Sequence, residues 1–216
     1  MKKVVYLITV FSLISCFGIS QKIEDLFTKS ETKITWLGID FSHVKLIGEF
    51  SQFAEAGTTG AAVIRDKYFS GWNNLILNEY EKYNIEGMVR KENINLKISG
   101  INKINDNTSI EDLEADDQPN YSKEDIALFI KEYDFGVKEG IGLLMIADYL
   151  NKIREEAKYH FVAINLTNNE VLLYESFVTK PGGFGLRNYW AKTFYDVIIS
   201  IRDVKYKNWK KIYGPK

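Results

Sequence analysis

The stretch Gly140-Ile141-Gly142-Leu143-Leu144-Met145-Ile146-Ala147-Asp148-Tyr149-Leu150 is the most apolar segment past the first twenty residues. Ile141, Leu143, Leu144, Met145 and Ile146 fall in one run, which predicts a central strand, although periodicity alone also permits a buried helix. Downstream, His160 to Val178 holds two β-rich runs around the turn-prone Thr167-Asn168-Asn169-Glu170, so the strand is followed by a hairpin. From about Arg187 to Asp203, Trp190, Phe194, Val197, Ile198 and Ile201 recur at helical spacing and predict a closing helix packed on the sheet.

Upstream the signals are mixed. Ile34, Trp36, Ile39, Phe41, Val44, Leu46 and Ile47 argue for extended chain between Lys33 and Glu49, with a break near Gly38 or Ser42. Residues 57–60 read as a loop. Phe69, Trp72, Ile76 and Tyr80 place a helix between Asp66 and Tyr83, and the alternation Ile94, Leu96, Ile98, then Ile101 and Ile104, predicts a half-buried strand over 93–104. Asn105 to Tyr121 reads as an acidic loop. Ser122, an N-cap with Asp125 three residues on, opens a second helix that buries Ile126, Phe129, Ile130 and Tyr133. Strands and helices interleave, so the expected class is α/β or α+β, a single mixed sheet with about three main helices. Only three prolines occur and no linker-like composition interrupts 31–204, so residues 21–204 are read as one domain and 205–216 as a basic, aromatic tail.

The chain has 216 residues, 45% hydrophobic and 26% charged, which excludes a disordered or collagenous chain. Its 28 basic against 29 acidic residues, a net charge of -1, give no overall field for nucleic acid or for an anionic membrane surface. A single cysteine removes disulfides and every multi-thiolate metal site. At the start, Lys2 and Lys3 precede the charge-free run Val4 to Ile14, an export signal too short to span a bilayer. Gly18-Ile19-Ser20 before Gln21 is a small-x-small cleavage site, making 1–20 a signal peptide. Leu13-Ile14-Ser15-Cys16 offers a second reading, a lipobox in which Cys16 is lipidated. The first gives a periplasmic or secreted protein, the second a membrane-anchored lipoprotein; membrane contact is expected only with lipidation at Cys16.

Three segments invite chemistry. Lys180-Pro181-Gly182-Gly183-Phe184-Gly185-Leu186-Arg187-Asn188 sets three glycines before a helix, where backbone amides can converge on an anion. Lys180, Gly182, Gly183, Gly185, Arg187 and Asn188 are the candidate binding residues, for an anion or phosphate-sugar. Neither a Walker ending nor the last dinucleotide-fingerprint glycine is present, so no nucleotide cofactor is expected. The alternative is a glycine-bent connection with Phe184, Tyr189 and Trp190 packed on the sheet and Arg187 in a structural hydrogen bond.

Asp40-Phe41-Ser42-His43 holds the residue types of a hydrolytic triad, but triads are assembled in space from separate elements. A hydrolase would have to use His43 or His160 as its base, with Ser42 or a carboxylate beside it; no catalytic residue is assigned. Asp112, Asp116 and Asp117 lack the spacing of a calcium loop, and no metal is expected. Lys205, Lys207, Lys210, Lys211 and Lys216, interleaved with Tyr206, Trp209 and Tyr213, could meet an acidic polymer or lipid headgroup or simply cover an exposed edge.

Trp36-Leu37-Gly38-Ile39-Asp40-Phe41, Trp72-Asn73-Asn74-Leu75, Gly140-Ile141-Gly142-Leu143 and Gly182 to Trp190 resemble an uncharacterised family of exported Bacteroidetes proteins. That resemblance implies an origin and a compartment, and no activity. The strand, Asn168-Asn169-Glu170-Val171-Leu172 turn, strand and closing helix are also similar to sheet domains of periplasmic assembly lipoproteins, among them the curli secretion channel and the N-terminal part of the Tol translocation protein. Together with the many aromatics, 4 Trp, 13 Tyr and 13 Phe, these point to a non-enzymatic envelope module that binds a protein partner or surface polymer.

Overall fold

The computed structural model describes residues 21–28, 30–50 and 60–215. The apolar run is the central strand: β4 (Ile141–Asn151) is buried along its whole length, because it has neighbours on both edges and helices on both faces. It pairs antiparallel with β5 (Glu156–Asn165), and β5 with β6 (Glu170–Thr179), the expected hairpin. On its other edge it runs parallel to β1 (Ile34–Asp40) and then, past a break, to β2 (Lys45–Ile47). β3 (Asn95–Leu96) adds a short parallel pairing at Thr35 and Trp36 of β1. The order β3-β1-β4-β5-β6, with β2 beside β4, makes one mixed sheet.

Helices cover both faces. The short α1 (Asp25–Thr28) precedes β1, and α2 (Ala61–Val63), a π-helical stretch Ile64–Phe69, α3 (Ser70–Asn78) and α4 (Ile85–Val89) lie between β2 and β3 in the chain. With α7 (Gly185–Ser200) they bury Trp36, Trp72, Phe161, Trp190 and Phe194 in the larger core. On the opposite face α5 (Ser99–Asp106) and α6 (Lys123–Lys131) supply Ile101, Ile126 and Ile130 to a smaller core with Leu144, Ile146 and Val162 of β4 and β5.

The strand expected over 93–104 is corrected: only Asn95 and Leu96 pair, and the chain then turns into α5. Leu96 is 39% exposed, so the alternating pattern does not mark a buried face. Ile98, Ile101 and Asn105 are buried instead, at the three- and four-residue spacing of a helix. Asn105 and Asp106 therefore belong to α5, and the acidic loop begins after them. The helix expected to Tyr83 ends at Asn78, and Tyr80 stands in solvent.

Beyond Asp203 the chain does not trail off. A π-helical stretch, Ile201–Lys205, continues into α8 (Tyr206–Tyr213), whose Tyr206 and Trp209 are buried. Trp209 stacks on Phe161 at 5.5 Å, and its indole N–H donates to Glu175 of β6.

Ser122 caps α6 with a reciprocal pair: its hydroxyl accepts from the Asp125 N–H, and its own N–H donates to the Asp125 carboxylate at 2.8 Å. The Ser122 N–H and, at 2.7 Å, the Ser122 hydroxyl donate to the Asp125 carboxylate and hold its pKa below the usual range. Ser122→Ala should cost about 1 kcal/mol, read as a lower midpoint in urea unfolding with an unchanged slope.

Candidate functional site

The two edges of the sheet are treated differently. β3 is too short to cover β1, and the remainder of that edge, which no strand pairs, is closed by side-chain amides. Asn73 of α3 accepts from the Ile39 N–H at 2.6 Å and donates to the Ile39 carbonyl at 2.9 Å. Asn105 of α5 arrives from the other face, accepting from the Phe41 N–H at 2.7 Å and donating to the same Ile39 carbonyl. The site depends on Gly38, whose φ of 112° is open to glycine and whose missing Cβ would lie 2.9 Å from the Asn73 amide oxygen. At the far edge, all nine Cα pairings of β6 go to β5. Among the described residues, no backbone hydrogen bond reaches β6 from its outer side. Its ten residues contain no proline and no lysine, the usual guards of an exposed edge, and Val178 is 58% exposed.

A polar chain is buried beneath the α6 side of β4–β6. The pairing of β4 with β5 shifts between Ala147 and Tyr149, which makes Asp148 the extra residue of a β-bulge. Asp148 is buried at 0% exposure, where it receives Lys158 Nζ at 2.7 Å and lies 3.0 Å from His160 Nε2. His160 Nδ1 is 2.9 Å from the Tyr174 hydroxyl. Burial and the Asp148 charge raise the Tyr174 phenol. An Asp148 carboxylate accepts only, so the tautomer with Nε2–H donates to Asp148 and leaves Nδ1 to accept from the Tyr174 hydroxyl. The second oxygen, Asp148 Oδ1, is buried without a hydrogen-bond partner.

Asp40, Ser42 and His43 form a packed turn. One Asp40 oxygen accepts from the Ser42 N–H at 2.7 Å and the other from the Tyr133 hydroxyl. The His43 ring lies flat on Phe129, centroids 3.6 Å apart, and burial outweighs Asp40 and Glu132 in lowering its pKa. Phe129 and Tyr133 are thus half-buried partners of His43 rather than deep core. A cleft of about 690 Å³ opens beside this turn between α5 and the end of α6.

The Gly182 to Asn188 connection runs along the surface. Lys180, Gly183, Gly185, Arg187 and Asn188 are exposed, and Gly182 donates its N–H to the Tyr189 carbonyl at 2.9 Å. Arg187 donates to the Asn188 side chain, which donates in turn to the Phe184 carbonyl. Trp190 is buried as expected, but Phe184 is 95% exposed and does not pack on the sheet. The Arg187 carbonyl accepts from the Trp72 indole at 3.0 Å.

Among the described residues no three His, Cys, Asp or Glu side chains are grouped to hold a metal; Asp112, Asp116 and Asp117 are exposed. No described helix is long and apolar enough to cross a membrane. Cys16 and the export signal lie outside the described residues, as do residues 57–59. Neither a known protein family, nor a curated protein, nor a solved structure matches this chain.

Asp148, Asn73 and Asn105 carry the polar architecture, and none was among the expected site residues. Asp148 had a signal, a lone carboxylate inside a run otherwise apolar enough to be buried on both faces.

Proposed function

We propose that this chain is an exported envelope protein that works as a binding or assembly module, taking an extended segment of a partner protein along the outer edge of β6. The observation that carries the reading is the contrast between the edges. One is sealed by two buried asparagines, while the other presents ten residues of strand with an unused outer side. An incoming strand would gain main-chain hydrogen bonds there, and Val178 and its neighbours would select its side chains. The export reading is supported by Lys2, Lys3 and the charge-free run to Ile14. The sheet-domain likeness to periplasmic assembly lipoproteins fits the same role.

The test is a photoreactive residue placed at Val178, and separately at the equally exposed Leu128 of α6, in cells of the native host. The Val178 position should give a discrete adduct and Leu128 none. A cross-link confined to Leu128, or to neither, would refute the edge reading, and an adduct of twice the chain mass would identify the partner as a second copy. An alternative enzymatic reading has one feature in its favour, the Asp148–His160–Tyr174 alignment, in which only Tyr174 reaches the surface.

A further inference from the structure

The outward side of α8 and the preceding turn carries a groove of about 600 Å³ with an unusual charge balance. Arg90, Lys207, Lys210 and Lys211 line it against one carboxylate, Asp203. Asp203 is already occupied by Arg202, through hydrogen bonds of 2.8 and 3.2 Å. None of the three lysines makes an ion pair among the described residues, and Arg90 lies over the Tyr206 ring at 4.7 Å. The same surface is not purely polar. Val204 in the groove is 54% exposed, and Ile212, on the flank of α8 outside the groove lining, is 66% exposed. Inward, Tyr206 and Trp209 fasten the helix to the fold, so its basic and aliphatic side is held outward rigidly.

The start of the fold packs against the inner side of the same helix. Phe27 of α1 packs against Tyr206 at 5.4 Å and Tyr213 at 6.4 Å. Cys16 and the apolar run before it therefore precede a residue seated on α8 by a short length of chain. The nine residues from Cys16 to Asp25 reach about 30 Å at full extension.

From these features we infer that the α8 face, formed by Arg90, Lys207, Lys210, Lys211, Val204 and Ile212, docks on an anionic phospholipid surface. Four basic groups meet lipid phosphates while the two aliphatic side chains enter the acyl boundary, the division of labour of an interfacial helix. A soluble polyanion would satisfy the lysines and leave Val204 and Ile212 in water, which is why a membrane fits better. Attachment at the N-terminal side would hold α8 within reach of the bilayer, and β6 would remain available to a partner. The inference is independent of the β6 reading.

Amide hydrogen exchange of the full-length protein tests it, whether or not Cys16 carries lipid. Vesicles of phosphatidylcholine and phosphatidylglycerol in equal amounts should slow exchange over 204–213, and pure phosphatidylcholine should not. Replacing Lys207, Lys210 and Lys211 with Gln should remove that protection, with partition onto the anionic vesicles falling about fivefold per residue. Ile212→Ser should weaken it with the charges intact. Equal exchange on both kinds of vesicle would overturn the inference, and so would equal protection by soluble heparin that is indifferent to Ile212→Ser. Exchange across β4 and β5 reports that each variant is folded.

Discussion

Asn73→Ala should destabilise the protein by roughly 3 kcal/mol, although the side chain touches no ligand and lies on a helix. The change orphans the Ile39 N–H, which is buried with Asn73 as its partner, and removes the donor to Asn102 Oδ1. A buried backbone group left unsatisfied costs about 1–3 kcal/mol, and the cavity adds to it. The Ile39 carbonyl keeps its bond from Asn105, so the loss stops short of exposing the whole edge. For a chain of this size the midpoint of thermal unfolding should fall by roughly 6–12 °C. Asn74→Ala, one residue along and exposed, should stay within about 0.5 kcal/mol. A loss at Asn73 no larger than at Asn74, in parallel urea titrations, would mean that water can replace the amide and that the β1 edge is not sealed.

The same residues show what a linear reading can and cannot reach. Ile141 to Leu150 announced β4 because an uninterrupted apolar run has few other ways to be buried, and Asn168-Asn169 announced the hairpin because the turn needs residues that tolerate it. Asn169 indeed has a φ of 56°. The Ser122 cap was legible for a local reason, since a capping box is complete within four residues. Asn73 and Asn105 are different: each looks like one more polar residue on a helix, and its role exists only because β1 ends its pairing with β3 after Trp36. Residues 93–104 failed for a related cause. Ile94, Ile98 and Ile101 satisfy both periods over so short a span, and α5 won because it buries Ile101 and delivers Asn105 to β1. The loop at Gly182 stands out by its composition, whereas the open edge of β6 has no composition of its own. Whether a strand is central or at an edge is a property of the sheet.

Asp148→Ala should be the more damaging substitution, costing about 3–5 kcal/mol, because it leaves the fully buried His160 N–H without an acceptor and Lys158 with only a 3.3 Å bond to Asn120. The bulge makes the damage hard to relax. Asp148 is the unpaired residue between Ala147 and Tyr149 in a strand buried along its whole length, so its side chain cannot swing to solvent. Removing the carboxylate alone is the worst case, since a charge whose partner is lost is costlier than no charge at all. The triple replacement Asp148→Leu, Lys158→Met and His160→Leu should therefore recover most of the loss, as buried ionic clusters exchanged for packed apolar groups often do. Tyr174→Phe, which only withdraws the donor to His160 Nδ1, should cost about 1 kcal/mol. Urea unfolding of these variants separates two roles. A stable triple variant that still gives the Val178 adduct makes the cluster structural and leaves the β6 edge as the working surface. A stable triple variant that loses the adduct or any measured turnover makes the Asp148–His160–Tyr174 line part of the function. Should Asp148→Ala lose less than about 1 kcal/mol, the carboxylate is hydrated, and the orphaned Oδ1 already has water as its partner.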